Sequence, residues 1–337
     1  MIDPEPVLAL TSTTSIGSLP HRDPAPAVRY ILDQQADLPA APSLPAHHPR
    51  ESMVAMAAWG IAGVTITDDG SVVVDRAKLD PSAPLGDPGL DAPPFTTLRT
   101  FLRAVRRRTG PVKLQLPGPV TLGLALRAAG VVDDLAFRIA GSAVRDRARA
   151  MLAVAGCEAS RAPLVVFLDE PALVAGWRDG FPLNPDQTID LVSSVLAVIE
   201  PHAVTGLHCC GGADWRVALQ TGPQVLSLPV GVGLEASAGA LASFVERGGW
   251  VAWGAVPTDG PLGESAVRLW RRLSLQWCEL VQAGCDPVLL RTHALITPAC
   301  GLAYHGLGQA DHVLELTRQV ADRLHDQLAG VRLTVGA

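Results

Sequence analysis

Lysine is nearly missing from this chain of 337 residues: Lys78 and Lys113 are the only two, although arginine brings the basic total to 27. We read that imbalance as a trace of genomic base composition. With 33 acidic residues the net charge is −6, and no basic stripe offsets it, which excludes a general nucleic-acid binder. Only 18% of residues are charged, too few for long disordered tails. No apolar run approaches the ~20 residues of a membrane span, and no basic start leads into an apolar stretch at the N-terminus. These absences predict a cytoplasmic protein with neither a membrane nor a nucleic-acid partner. In that compartment the six cysteines are thiols or metal ligands rather than a disulfide framework. Cys157, Cys278 and Cys285 lie in helix-like or turn sequence and read as small buried hydrophobes.

What is present is a chain that is 48% hydrophobic, enough for a sizeable core, and a regular alternation of patterns. Short aliphatic runs at 12–17, 112–116, 164–170, 203–209, 224–230, 249–256 and 287–293 read as strands. A weaker run at 38–45 makes eight. Between them, 132–156, 186–199, 237–247 and 263–283 carry apolar residues at helical spacing. Strands alternating with helices imply a parallel sheet covered by helices, and eight of them imply a single (β/α)8 TIM barrel over residues 1–337. Residues 64–75, "VTITDDGSVVVD", place Asp-Gly between two alternating runs, the signature of an accessory β-hairpin. The Pro/Gly-rich stretch 79–94 reads as an irregular loop.

Polar residues fall at or just after strand ends: Ser18, Asp169, Glu170, His208, Cys210, Asp259 and His293. In a parallel barrel those ends form the active-site face. In "GLHCCGGADW", His208 and Cys210 are two apart, so a strand opening into its loop can present both to one metal, and nitrogen with sulfur suits zinc. Cys300 in "TPACGLAYHG" can supply a third ligand from beyond the last strand. The competing reading is of buried thiols beside a satisfied histidine. Cys209 alternates away and reads as a spectator, and His47 and His48 read as a solvated loop pair. In "FLDEPAL" the carboxylates of Asp169 and Glu170 end a buried strand, which suits a substrate amine; a helix N-cap role for Asp169 stays open. "SIGSLPH" offers Ser18 and backbone N–H groups for a carboxylate, and Pro119 in "LPGPVTLG" suits the first position of a helix.

Taken in order, "TTSIGSLP", "LQLPGPVT", "FLDEPAL", "HCC" and "PACGL" resemble the catalytic half of cobalamin-independent methionine synthase over about residues 11–306. The resemblance is to the shorter, core-type members. It implies a zinc ion held by His208, Cys210 and Cys300, homocysteine's carboxylate at Ile16, Gly17 and Ser18, and its amine at Asp169. It further implies thiol S-methylation, with methyltetrahydrofolate or a methyl-corrinoid (methylcobalamin or a corrinoid protein) as donor. Four family positions differ. Pro229 ends the strand where a glutamate ligand is usual, with Glu235 as the available substitute. Ala55 replaces a glutamate that contacts homocysteine, and no tryptophan follows "GPVT". Asp259 stands near the place of the acid histidine, so Asp259 and His293 are the candidate proton donors. A zinc-binding barrel without turnover, serving as a binding or regulatory protein, is the alternative; porphyrinogen decarboxylation would leave the cysteines unexplained.

Overall fold

The structure, a computed structural model, describes all residues except 1, 6, 177–179, 261–262 and 336–337, with backbone alone for 175 and 329–335. Strands β1 (Val64–Ile66) and β2 (Val72–Val74) pair antiparallel, as the hairpin signature requires. Gly70, with φ of 83°, takes the turn conformation that a side chain disfavours. The main sheet holds six parallel strands in sequence order: β3 (Val112–Pro117), β4 (Leu164–Asp169), β5 (Val204–His208), β6 (Val225–Pro229), β7 (Trp250–Val256) and β8 (Ala294–Pro298). Helices α1 (Pro24–Gln34), α2 (Met53–Ala58) and α3 (Thr96–Ala104) precede it. The strands are followed in turn by α4 (Pro119–Ala128) and α5 (Asp133–Glu158), α6 (Pro185–Ile199), α7 (Trp215–Gln220), α8 (Ala238–Glu246), α9 (Ala266–Gln282) with the single turn α10 (Leu289–Thr292), and α11 (Leu307–Val335).

Two of the expected eight strands do not form. Residues 12–17 and 38–45 make only isolated parallel bridges, Thr13 to Ile296, Ala40 to Lys113 and Ser18 to Ser43. The physical reason is local. Pro39, Pro42 and Pro45 cannot donate to a ladder, and Gly17 leaves extended geometry with φ of 134°. The result is a curled six-stranded sheet whose β3 and β8 edges meet these two irregular segments, in place of the regular eight-stranded barrel.

Alternation along each strand builds two cores. Val165, Phe167, Val204, Val225, Trp250, Ala252 and Leu295 fill the inside of the curl with Leu8 and Leu38. Leu114, Val166, Leu168, Leu207, Leu226, Leu228, Trp253 and Ile296 face the helices in the larger cluster. The last expected strand is displaced. Asp286 accepts hydrogen bonds from the amides of Val288 (2.6 Å) and Leu289 (3.0 Å), and this cap with Pro287 turns "VLLRT" helical. The strand is therefore "ALITP", and His293 stands before it. Cys285 is buried as expected, but Cys157 and Cys278 are exposed because they fall on the outer faces of α5 and α9.

Glu170 ties the sheet to α4. Its fully buried carboxylate accepts hydrogen bonds from Val120 N (2.8 Å), Thr121 N (2.8 Å) and Thr121 Oγ1 (2.6 Å), satisfying donors that a helix N-terminus leaves open. Gly118 makes this approach possible, since a Cβ there would lie 2.1 Å from Glu170 Oε1. Glu170→Ala strands three donors and is expected to cost about 2–4 kcal/mol in urea unfolding, with Glu170→Gln clearly milder. Equal stability of Glu170→Ala and wild type would remove this role.

Candidate functional site

Inward positions nearest the C-terminal ends of β3 to β6 carry polar groups above the apolar filling: Gln115, Asp169, His208 and Ser227. Gln115, Asp169 and His208 open onto a cavity of about 210 Å³ whose lining also includes Ile16, Ser18, Cys210 and Cys300. Lys113, one turn of the pleat below Gln115, is also inward and buried, its Nζ 4.8 Å from the centre of the Phe167 ring.

The loop after residue 15 is held from three directions. Lys113 Nζ donates to Ile16 O (2.9 Å), Ser43 N to Gly17 O (3.2 Å) and Leu302 N to Ser18 O (2.9 Å). Gly17 permits the bend, and a Cβ there would strike the Gln115 amide at 2.2 Å. Asp169 lines the same cavity, with Oδ1 buried and unpartnered. Burial raises its carboxyl to about 7 against the opposing pull of Lys113, while burial lowers the Lys113 amine to about 8 against the pull of Asp169. The two interact through space rather than by a direct ion pair. The cavity therefore keeps one carboxylate oxygen available to a donor.

His208 is buried, with Nδ1 2.9 Å from Ser227 Oγ and Nε2 without a partner. Cys300 stands close enough to both His208 and Cys210 to act on their ionisation. The neighbouring Cys300 lowers the Cys210 thiol, Cys210 in turn pushes Cys300 up to about 12, and burial lowers the His208 ring. A ring nitrogen fixed on one side and open on the other, beside two thiols, is the donor chemistry of a zinc site. No group of three or more His, Cys, Asp or Glu side chains among the described residues is arranged to hold a metal ion. The donors match zinc in kind, and the three side chains line one cavity.

Other expected site residues lie elsewhere. Glu170 is consumed by α4 and does not line the cavity. Because it follows inward Asp169, alternation turns it outward. Glu235, in the turn after β6, is held by Gln276 Nε2 at 3.0 Å and stays off the cavity wall. Asp259 follows β7 at the correct end but is exposed and outside the cavity. His293 is at the opposite end of the sheet, its ring edge-on to Trp250 at the start of β7 and its Nε2 3.9 Å from Glu5. Cys209 points away to the Gly211 carbonyl. His47 hydrogen-bonds Arg22 O and His48 caps the turn at Arg50. Lys113 and Ser227 were missed. Strand alternation in "VKLQL" was the available signal, since it sets a lysine and a glutamine on one face of a buried strand.

Two solved structures share the overall fold. A B12-independent methionine synthase from Shewanella sp. W3-18-1, in complex with selenomethionine, matches with a TM-score of 0.63 at 17% identity over 96% of this chain and 100% of that one. A putative vitamin-B12-independent methionine synthase from Listeria monocytogenes matches with a TM-score of 0.61 at 14% identity, over 95% and 98% of the two chains. The chain matches no protein-family model and no curated protein sequence. It shares its overall fold with these methionine synthases, as its motifs led us to expect. No helix among the described residues is long and apolar enough to cross a membrane.

Removing the cation tests the Lys113–Asp169 coupling. Asp169 has a raised folded pKa, so its contribution to stability is present below its unfolded pKa and lost as pH climbs through about 7. Without Lys113 that folded pKa rises further. Lys113→Met is therefore expected to lose about 3 kcal/mol. Its melting temperature should also fall more steeply than the wild type's between about pH 5 and 8. Parallel pH profiles would show that the two groups are not coupled.

Proposed function

We propose that this protein is a zinc-dependent S-methyltransferase acting on a small thiol, with homocysteine giving methionine as the leading reaction. The observation that carries the reading is His208, its Nε2 open, in one cavity with Cys210 and Cys300. His208, Cys210 and Cys300 would hold the zinc, with Ser227 orienting the ring. A free thiol with pKa about 8.5 is mostly protonated at neutral pH, and bound zinc supplies the deprotonation that makes it a nucleophile.

The remaining roles belong to the chain's own groups. Asp169, with its unpartnered oxygen, accepts from the amino group of the acceptor. The loop of Ile16, Gly17 and Ser18 takes the acceptor's carboxylate, and Lys113 fixes that loop through Ile16 O. The apolar walls keep water from the methyl group in transit. Methyltetrahydrofolate needs a proton on its leaving nitrogen, yet neither Asp259 nor His293 faces the cavity. A methyl-corrinoid leaves without one, and offering the two donors separately decides between them.

The test is metal content followed by single turnover. Wild type is expected to carry about one zinc per chain, and Cys300→Ala far less, because three protein ligands are the minimum for such a site. The zinc-loaded protein should methylate homocysteine when methylcobalamin and methyltetrahydrofolate are offered separately, and Cys210→Ala should lose at least about a hundredfold in rate. Zinc binding with methylation from neither donor would identify a binding protein, as the four substituted positions would then explain. Wild type purified and reconstituted without zinc would remove the proposal altogether.

A further inference from the structure

The same cavity carries a wall whose side chains the methylation reading gives no role. Its wall there is apolar: Met53 and Met56 from α2, Leu90, Phe95, Leu98 from α3, and Met151 from α5. Into this wall α5 sets a guanidinium. Arg147 is 4% exposed and lines the cavity, with its carbon centre 4.5 Å from the middle of the Phe95 ring.

Arg147 is short of acceptors. One nitrogen donates to Trp59 O, while Nε and Nη1 are buried without any partner. Two carboxylates lie near enough to act on it through space, Asp87 and Asp146, but both are engaged by other groups. Asp87 accepts from Asp91 N (2.9 Å) and Ala92 N (3.1 Å), and Asp146 pairs with Arg149 at 2.7 Å. Burial lowers the guanidinium to about 10, which still leaves it charged at neutral pH. A packing role alone would be met by a methionine or leucine at far less desolvation cost. A charged fork with free N–H groups is the recognition element for a carboxylate.

We propose that Arg147 and this apolar wall form a binding site for a small carboxylate with an apolar body. The carboxylate takes the free edge of the guanidinium and the body lies against Met56, Leu98 and Met151. The site uses none of the residues Ile16, Gly17 and Ser18, and it stands whether or not the protein transfers methyl groups. A molecule seated there would share one cavity with Cys210 and Cys300, so the site would select what approaches the thiols.

Titration calorimetry with phenylacetate and its neutral isostere phenylacetamide tests the assignment on the full chain without metal or methyl donor. Wild type is expected to bind one phenylacetate per chain and to prefer it over phenylacetamide by about tenfold or more. Arg147→Met should lose that preference by binding the acid more weakly, with the amide unchanged, and Arg147→Lys should fall between. Acid and amide bound equally by wild type would mean that the guanidinium is only a brace between α5 and Trp59. Binding of neither probe, or unaltered phenylacetate affinity in Arg147→Met, would equally overturn the site. Because the acid–amide comparison needs only wild type, a variant that fails to fold does not protect the proposal. Methylation activity is not read in this experiment, so its failure and that of the enzyme assignment are separable.

Discussion

Lys113 and Asp169 occupy inward positions on neighbouring strands, both almost sealed from water. Neither could carry its charge there alone, since an isolated buried ion costs several kcal/mol even after relaxation. Each lowers the other's cost without closing on it. The gap between them is what the cavity uses. Lys113 spends its hydrogen bonds on Ile16 O and Gln115 Oε1, at 2.9 and 3.3 Å, and so shapes the loop that forms one wall. Asp169 is left with an oxygen aimed at no protein group. A fully satisfied pair would have made a stable interior and no site.

The same economy separates neighbouring residues in "FLDE". Asp169 turns inward to the cavity, whereas Glu170 turns outward and satisfies the start of α4. Burial raises both carboxyls to about 7, but three donors pull Glu170 back and only a distant amine pulls on Asp169. One carboxylate builds the frame; the other is kept for a ligand. His208 follows this logic at the next strand, with Ser227 engaging one ring nitrogen and leaving the second open.

Much of this was legible in the chain itself. Five of the main strands, the hairpin and the long helices stand close to where aliphatic periodicity placed them, because residues buried on alternate faces leave that pattern directly. The two irregular segments and the displaced β8 were misread for a common reason. Apolar runs such as "PVLLRTH" carry no period that separates a turn of helix from a strand, and the deciding features were Asp286, Pro287 and the prolines near residue 40. His293 was misplaced with its strand. Glu235 was assigned by nearness in sequence to Pro229, but Gln276 on α9 holds it elsewhere.

The sequence by itself determined the layering: which residues face inward, where polar groups end each strand, and that an imidazole and thiols stand at one rim. Those properties are local, set by the two-residue repeat of a strand. Only the tertiary structure decided that Cys300 meets Cys210, that Lys113 faces Asp169 and that Arg147 reaches the same cavity across α2 and α3. Such meetings depend on strand order and on how far the sheet curls. Both arise from packing between segments distant along the chain, which no local pattern records.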